Sequence, residues 1–159
     1  MDETTRRILI MKHVRILLET TQKEKKSSVP IDTSYWEKLW DTYTKDFASV
    51  EIHSWLEESE QIEELSKISA NSVVQGLVKV FTVTLNEENC TFLRNQSIDP
   101  NGGLKWFTLF FYKEDVQMLE IAQYGSEIVL YGVDEKEAAE LQMMFPENSN
   151  SEYFKEHLM

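Results

Sequence analysis

The sequence predicts an α+β fold in which N-terminal helices pack on an antiparallel meander sheet of about four to five strands, followed by a C-terminal helix. Three observations predict it. Apolar residues recur at helical spacing in residues 1–72, β-branched residues and turn signals dominate residues 73–132, and helical spacing returns in residues 133–159. A chain of 159 residues fits one domain, so we interpret residues 1–159 as a single folded unit.

Three helices are predicted in the N-terminal part. Each shows apolar residues at spacings of three and four along one face. The predicted helices cover residues 3–22, 34–47 and 52–68. Ser34 and Glu37 have the spacing of a capping box at the start of the second helix, and the apolar phase of the third slips near Ser59.

The middle part is interpreted as a meander of five strands. Short apolar runs are separated by turn residues, of which DPNGG at residues 99–103 is the clearest, because proline fixes φ and glycine permits positive φ. Strands joined by such short turns pair as antiparallel neighbours. The predicted strands cover residues 73–85, 90–98, 104–112, 116–124 and 127–132.

The C-terminal part predicts a helix over residues 133–145. Asp134 is the expected N-cap, Glu137 completes a second capping box, and Pro146 ends the helix. A polar linker and a short terminal helix are expected in residues 147–159.

The charge of the chain is strongly negative and uneven. The formal net charge is −12, from 28 acidic and 16 basic residues. Residues 31–72 hold ten acids against three bases, and residues 114–159 hold eleven against two. Such a surface repels nucleic acid and anionic lipid, and it speeds the encounter with a basic molecule. We therefore expect a basic protein partner, no direct nucleic-acid binding and no membrane binding.

Cysteine content and the N-terminal sequence predict a cytoplasmic protein. Cys90 is the only cysteine, so no internal disulfide forms, which suits a reducing compartment. Charged residues interrupt the apolar run near the N-terminus, and no run of about 18 apolar residues occurs.

No arrangement typical of catalysis stands out. The histidines at 13, 53 and 157 are far apart in sequence, and none lies within a helical turn of Cys90. No nucleophile elbow and no glycine-rich phosphate loop occurs. We expect no catalytic residue, no metal and no cofactor.

The stretch SWLEESEQIEEL holds five glutamates and no lysine or arginine. On a helix, Glu57, Glu60 and Glu64 form one stripe, with Trp55 roughly opposite. This pattern is typical of an ordinary solvated helix, but acids also crowd the last predicted helix. We therefore predict two acidic helices that steer a basic partner, with tryptophan anchors. The predicted partner-binding residues are Trp55, Glu57, Glu58, Glu60, Glu63, Glu64, Trp106, Glu135, Glu137 and Glu140.

The aromatic run of residues 106–112 has two interpretations. It carries apolar residues on both faces of a predicted strand, with Trp106, Phe110 and Tyr112 on one side. Either the strand is central and covered on both faces, or one face binds a partner.

These observations favour a non-catalytic acidic protein-interaction domain of the inhibitor, immunity or antitoxin type. The alternative is a small-ligand-binding or regulatory α+β module with a pocket between helices and sheet. A nucleic-acid adaptor that uses the basic first helix, or an enzyme of unrecognised type, is a weaker alternative. A homodimer formed through the sheet edge or the first helix is compatible with all of them.

Overall fold

The computed structural model describes residues 12–23, 26–100 and 103–155. Within them the strands are β1 His13–Leu17, β2 Thr20–Lys23, β3 Lys26–Pro30, β4 Ser49–Trp55, β5 Asn71–Gln75, β6 Val78–Thr84, β7 Thr108–Lys113, β8 Val116–Ala122, β9 Glu127–Tyr131 and β10 Asn150–Phe154. The helices are α1 Tyr35–Tyr43, α2 Ser59–Ile68, α3 Glu87–Gln96 and α4 Glu135–Gln142, with short 3-10 turns at Thr44–Asp46 and Gln123–Gly125.

Eight of these strands form one antiparallel sheet in the spatial order β10-β1-β9-β8-β7-β4-β6-β5. The hairpin of β2 and β3 is separate from it. Because β10 pairs with β1, the first and last described strands lie side by side near one edge. The other edge is β5, which pairs only with β6.

Strand β4 shows how side-chain alternation divides the sheet into two faces. Its residues alternate between half-buried and buried, and Val50 and Ile52 are fully buried. Successive side chains of a strand point to opposite faces, so only one face of β4 lies in the core. The register extends this pattern to the neighbours, since Ile52 lies opposite Leu109 of β7 and Phe81 of β6.

All four helices pack on that one face. Their buried residues join strand residues of the same face in a single hydrophobic cluster, to which no described side chain of the alternate face belongs. The ring of Trp40 in α1, for example, meets the ring of Phe111 edge-on, with 5.7 Å between centroids. We call the other side the open face. Its half-buried side chains include His13, Arg15, Glu51, His53, Trp55, Phe110, Tyr112, Glu120, Glu127 and Tyr131.

The α+β class and the antiparallel sheet are confirmed, but the predicted arrangement is wrong. The sheet has eight strands rather than four to five, and its helices occur between strands instead of preceding them. The last described element is strand β10 and not a helix.

The predicted N-terminal helix at residues 3–22 is wrong for the residues that the structure describes. Residues 3–11 lie outside the described part, and the remainder forms β1 and β2. Val14 and Ile16 are both fully buried, which is strand alternation. β1 pairs with β9 on one side and β10 on the other. The apolar residues of this short segment fit both the helical and the strand period, and pairing with these distant strands selects the strand.

Two further segments, each predicted as one element, form two elements in the structure. The predicted helix at residues 52–68 begins as strand β4, and helix α2 starts at Ser59, where the apolar phase slips. The predicted strand at residues 73–85 is a hairpin of β5 and β6, with Gly76 at a φ of 64° in its turn. A single glycine inside an apolar run was the signal for that turn.

The predicted strand at residues 90–98 is wrong, because this segment belongs to helix α3. The Asn86 side chain accepts a hydrogen bond of 2.8 Å from the backbone N–H of Asn89, which caps the helix. Glu87 and Glu88 occupy the first turn, where the helix dipole favours acids. Residues 86–89, with the sequence NEEN, therefore begin a helix instead of forming a turn between two strands.

The short terminal helix is also wrong within the described residues. Residues 150–154 form β10, an edge strand that pairs with β1 in continuous register. Residues 156–159 lie outside the described part.

Other predictions hold. Strands β7, β8 and β9 form the expected antiparallel meander, and helix α1 lies within the segment of strongest helical signal. Ser34, however, makes no side-chain cap, and its backbone N–H instead donates to Asp32 Oδ1 at 2.7 Å. The capping box of Asp134 and Glu137 is confirmed at the start of α4.

Replacing the N-cap of α4 should lower stability modestly. Asp134→Ala removes the acceptor for the Glu137 N–H, so we expect a loss of about 1 kcal/mol in the free energy of unfolding, measured by urea denaturation. Asp115→Ala, at an exposed turn between β7 and β8, is the matched control. Equal losses in the two variants would contradict a capping role.

Candidate functional site

The acidic stretch after β4 presents three exposed glutamates. Glu57, Glu60 and Glu63 are exposed, and within the described part of the chain none of them makes an ion pair. Glu60 and Glu63 lie one turn apart on α2 and are neighbours on its surface. Glu64 differs, since it lies 3.5 Å from the Lys105 ammonium.

Trp55 ends strand β4 beside these acids and is half-buried. Its ring packs against Phe107 at 4.8 Å between centroids, and Phe107 meets Tyr124 edge-on at 5.4 Å. The three rings come from β4, the segment before β7, and the turn after β8. Sequence reasoning selected Trp55 but missed Phe107 and Tyr124 as its support, because only the sheet brings them together.

Glu58 connects this aromatic cluster to the start of α2. One carboxylate oxygen accepts from the Trp55 backbone N–H at 2.8 Å and from the Ser54 hydroxyl at 3.3 Å. The other accepts from the Tyr124 hydroxyl at 3.2 Å. Burial and the charge of Glu58 raise the pKa of Tyr124 well above its usual value. Glu58 is therefore a positioning residue under the exposed acids.

The turn that carries Tyr124 has an unusual backbone. Gln123 and Tyr124 have φ values of 55° and 56°, and Gly125 follows at 92°. The left-handed region costs a non-glycine residue of the order of 1 kcal/mol, so other contacts must hold it. The Tyr124 N–H donates to the Phe107 carbonyl at 3.0 Å, and the Tyr35 hydroxyl donates to the Gly125 carbonyl at 2.7 Å. A Cβ on Gly125 would lie 2.8 Å from that hydroxyl.

Trp106 lies in the core. It is fully buried, and its indole N–H donates to the Ser97 hydroxyl at 2.8 Å. Strand β7 begins only at Thr108, so Trp106 does not share the side of Phe110 and Tyr112 on which the alternation placed it. A side chain without exposed surface makes no contact with a partner in this conformation, and we leave it out of the candidate surface.

The acids of α4 are separate from those of α2. Glu135, Glu137 and Glu140 are exposed. Helix α4 packs near β1 and β10, whereas α2 packs on the same face near β6, toward the other edge of the sheet. Glu135 pairs with Lys155 at 3.2 Å, and Glu137 is engaged in the capping box. The structure thus divides the predicted partner-binding residues into two groups that do not form one surface.

The open face carries a row of side chains that the sequence did not reveal. Cross-strand pairing aligns one residue from each of the eight strands. In spatial order they are Glu152, Arg15, Val129, Glu120, Phe110, Glu51, Thr82 and Asn71. Arg15 is the one basic residue of the row and pairs with Glu127 on this face, while the row holds three acids, Glu152, Glu120 and Glu51. Strands were predicted from the sequence in the segments of β6 to β9, but the strands β1, β4 and β10 and the order of the strands were not.

Glu120 is one of two half-buried acids of that row, with Glu51. Burial raises its pKa, and the neighbouring Glu127 raises it further, while the Arg15 guanidinium offsets part of the effect. A shallow groove of about 640 Å³ lies elsewhere, between α4 and β10. Its walls include Ala138, Tyr153 and the Glu135–Lys155 ion pair.

No group of three metal-ligating side chains comes together among the residues that the structure describes. Within the same residues, no helix is long and apolar enough to span a membrane. Comparison of the chain with protein-family models, with curated proteins and with solved structures finds no match in any of the three.

Removing the partner of the Trp106 indole should destabilise the core. Ser97→Ala leaves a buried N–H without an acceptor, so we expect a loss of about 1–3 kcal/mol in urea unfolding. Ser66→Ala, on the exposed side of α2, removes a hydroxyl that also bonds a helix carbonyl and should cost under about 0.5 kcal/mol. Similar losses in both variants would show that the buried hydrogen bond contributes little.

Neutralising Glu120 should stabilise the protein in a pH-dependent manner. Because its pKa is raised on folding, ionised Glu120 opposes folding at about pH 7, whereas at about pH 3 the group is protonated in both states. We expect Glu120→Gln to raise the unfolding free energy by about 1 kcal/mol or less at the higher pH, with no gain at the lower. Glu152→Gln, exposed in the same row, is the control; a gain that is equal at both pH values would argue against this ionisation.

Proposed function

We propose that this protein is a non-catalytic acidic interaction domain that binds a basic protein. We propose that Trp55, Glu57, Glu60 and Glu63 together form the binding surface at the end of β4, where the chain passes from the open face to α2, and we call it the Trp55 surface. The observation that carries the proposal is an aromatic side chain that packs on Phe107 and is followed within eight residues by three exposed acids, none of which makes an ion pair among the described residues.

The two kinds of side chain have different roles in binding. Exposed acids attract a basic partner over a distance and raise the association rate, with less effect on the dissociation rate. A tryptophan supplies contact area, and an arginine or lysine of the partner stacks on the indole ring while pairing with a neighbouring carboxylate. The acids that steer the partner and the tryptophan that anchors it thus lie within one short segment of the chain, residues 55–63.

Pre-organisation supports this division. Glu58 fixes the start of α2 to the end of β4 through its bonds to Ser54, Trp55 and Tyr124. The Trp55 ring is held against Phe107, so little side-chain freedom is lost on binding. We propose a cytoplasmic inhibitor, immunity or antitoxin protein as the biological class, since such a domain masks a basic surface on another protein.

Charge reversal on the Trp55 surface should slow association. Glu57→Lys, Glu60→Lys and Glu63→Lys together change the net charge from −12 to −6, because each replacement adds two charges. We expect the association rate with the partner to fall about tenfold at low salt and less at high salt. The partner is first isolated by affinity capture on the wild-type protein, and the association rate is then measured by biolayer interferometry.

The matched control reverses three exposed acids at the opposite ends of the strands. Glu88→Lys, Glu114→Lys and Asp115→Lys give the same net charge and should leave most of the rate intact. Trp55→Ala should instead accelerate dissociation, with a loss of about 2 kcal/mol in binding. Equal effects of the two triple variants, or a captured partner that is not basic, would overturn the proposal.

A small-ligand-binding or regulatory module is the second candidate. The groove between α4 and β10 favours it, with its ion pair of Glu135 and Lys155 at one wall. A thermal shift with a metabolite that disappears in Ala139→Trp, which places an indole in the groove from an exposed position of α4, would support this alternative and oppose the first.

A further inference from the structure

Exposed apolar side chains gather at one edge of the sheet. Six large hydrophobic residues are exposed in the described part of the chain, and four of them lie on or beside the β5–β6 hairpin. Those four are Leu56, Val73, Val74 and Leu77. Leu56 belongs to this group because its N–H donates to the Leu77 carbonyl at 3.1 Å. A cluster of this kind marks an interaction surface more often than scattered single residues do.

The edge strand itself has free hydrogen-bonding capacity. β5 pairs with β6 on one side only, and all five of its residues are exposed. Half of its backbone N–H and C=O groups point away from the sheet, which is the arrangement that accepts another strand. Its register with β6 is continuous, and it contains no proline, bulge or charged residue that would discourage pairing.

The neutrality of this edge selects its occupant. Residues 69–78 carry no charge, in a chain whose net charge is −12. A basic partner gains no electrostatic attraction there, whereas two copies of this chain, which repel one another elsewhere, meet at this edge without like charges in contact. We propose that the protein forms a homodimer by antiparallel pairing of β5 with β5 of a second copy.

The sequence of β5 is compatible with its own antiparallel image. A two-fold axis at Val73 places Val73 opposite Val73 of the second copy, Ser72 opposite Val74, and Asn71 opposite Gln75. Each pair is neutral, and the valine pair at the centre is a favourable cross-strand contact. The dimer joins the two sheets into one and continues the open face across both copies.

The other edge of the sheet is unsuitable for the same symmetric pairing. β10 has Glu152 at its centre, so a two-fold axis there would place two carboxylates opposite each other. Like charges directly opposite destabilise a strand pair. Of the two edges of the eight-stranded sheet, self-association is therefore assigned to β5.

The first test is the mass of the protein in solution. Analytical ultracentrifugation over a wide concentration range should give a dimer that strengthens as salt is raised, because salt screens the repulsion between two acidic copies. Binding of a basic partner at the Trp55 surface weakens with salt, so the two proposals have opposite salt dependence and fail separately. A monomer at every concentration, at low and at high salt, would overturn the dimer.

Variants at the edge test the location. Val73→Lys places two lysines opposite each other and should weaken dimerisation at least tenfold, while Asn150→Lys adds the same charge at the β10 edge and should preserve the dimer. Circular dichroism and thermal unfolding verify that both variants fold. A dimer of unchanged strength in Val73→Lys would place the interface elsewhere and refute the proposal.

Cross-linking tests the register without disrupting the fold. In a Cys90→Ser background, Val73→Cys brings two thiols together across the proposed axis and should oxidise to a covalent dimer. Val74→Cys, which lies opposite Ser72, should cross-link much more slowly. Equal cross-linking at the two positions would reject the pairing around Val73.

Discussion

The burial of only one face of the sheet is the constraint on which the rest of this structure depends. A single layer of four helices covers that face, and its core includes Ile52, Phe81 and Leu109 on adjacent strands. The strands between the two edges therefore place apolar residues at every second position, whereas the edge strands β5 and β10 do not. The alternate positions carry polar and aromatic side chains together with Val80 and Val129, so glutamates and rings share the open face.

This one-sided burial also governs where charge is found. The helices expose their outer surfaces to water, and acids collect there because the core side is already occupied. Of the predicted acids, Glu57, Glu60 and Glu63 lie exposed in the segment that follows Trp55, while those of α4 lie at the opposite end of the strand order, near β1 and β10. The acidity of the molecule is thus spread over separate surfaces, and only the one beside an aromatic side chain combines attraction with an anchor.

Local signals predicted the elements whose structure depends on neighbours in sequence. Helix α1 and the capping box of Asp134 and Glu137 follow from spacing and side-chain chemistry within a few residues, and the slip of the apolar phase near Ser59 marks the position where α2 begins. The strand β1 was missed because His13–Leu17 has few residues, and its two partners are more than a hundred residues away. Tertiary pairing overrides local periodicity in such a segment.

The candidate site was predictable to the same limited degree. Glu57 and Glu60 were selected from their density along the chain, and Trp55 from its type. Trp106 was selected on the same ground, but it is buried, since the start of β7 could not be located from the aromatic run alone. The roles of Phe107, Tyr124 and Glu120 depend on strand order, which no pattern within a single strand specifies.

The bonds around Tyr124 have a mechanical consequence. Glu58 holds the Tyr124 hydroxyl, the next residue is Gly125, and the Gly125 carbonyl holds Tyr35 at the start of α1. A force applied to the segment after β4 is thus passed through the Glu58–Tyr124 hydrogen bond, the covalent chain from Tyr124 to Gly125, and the Gly125–Tyr35 hydrogen bond into the helical layer. The segment after β4 is therefore tied mechanically to α1, and a load on it reaches a helix of the core as well as the local turn.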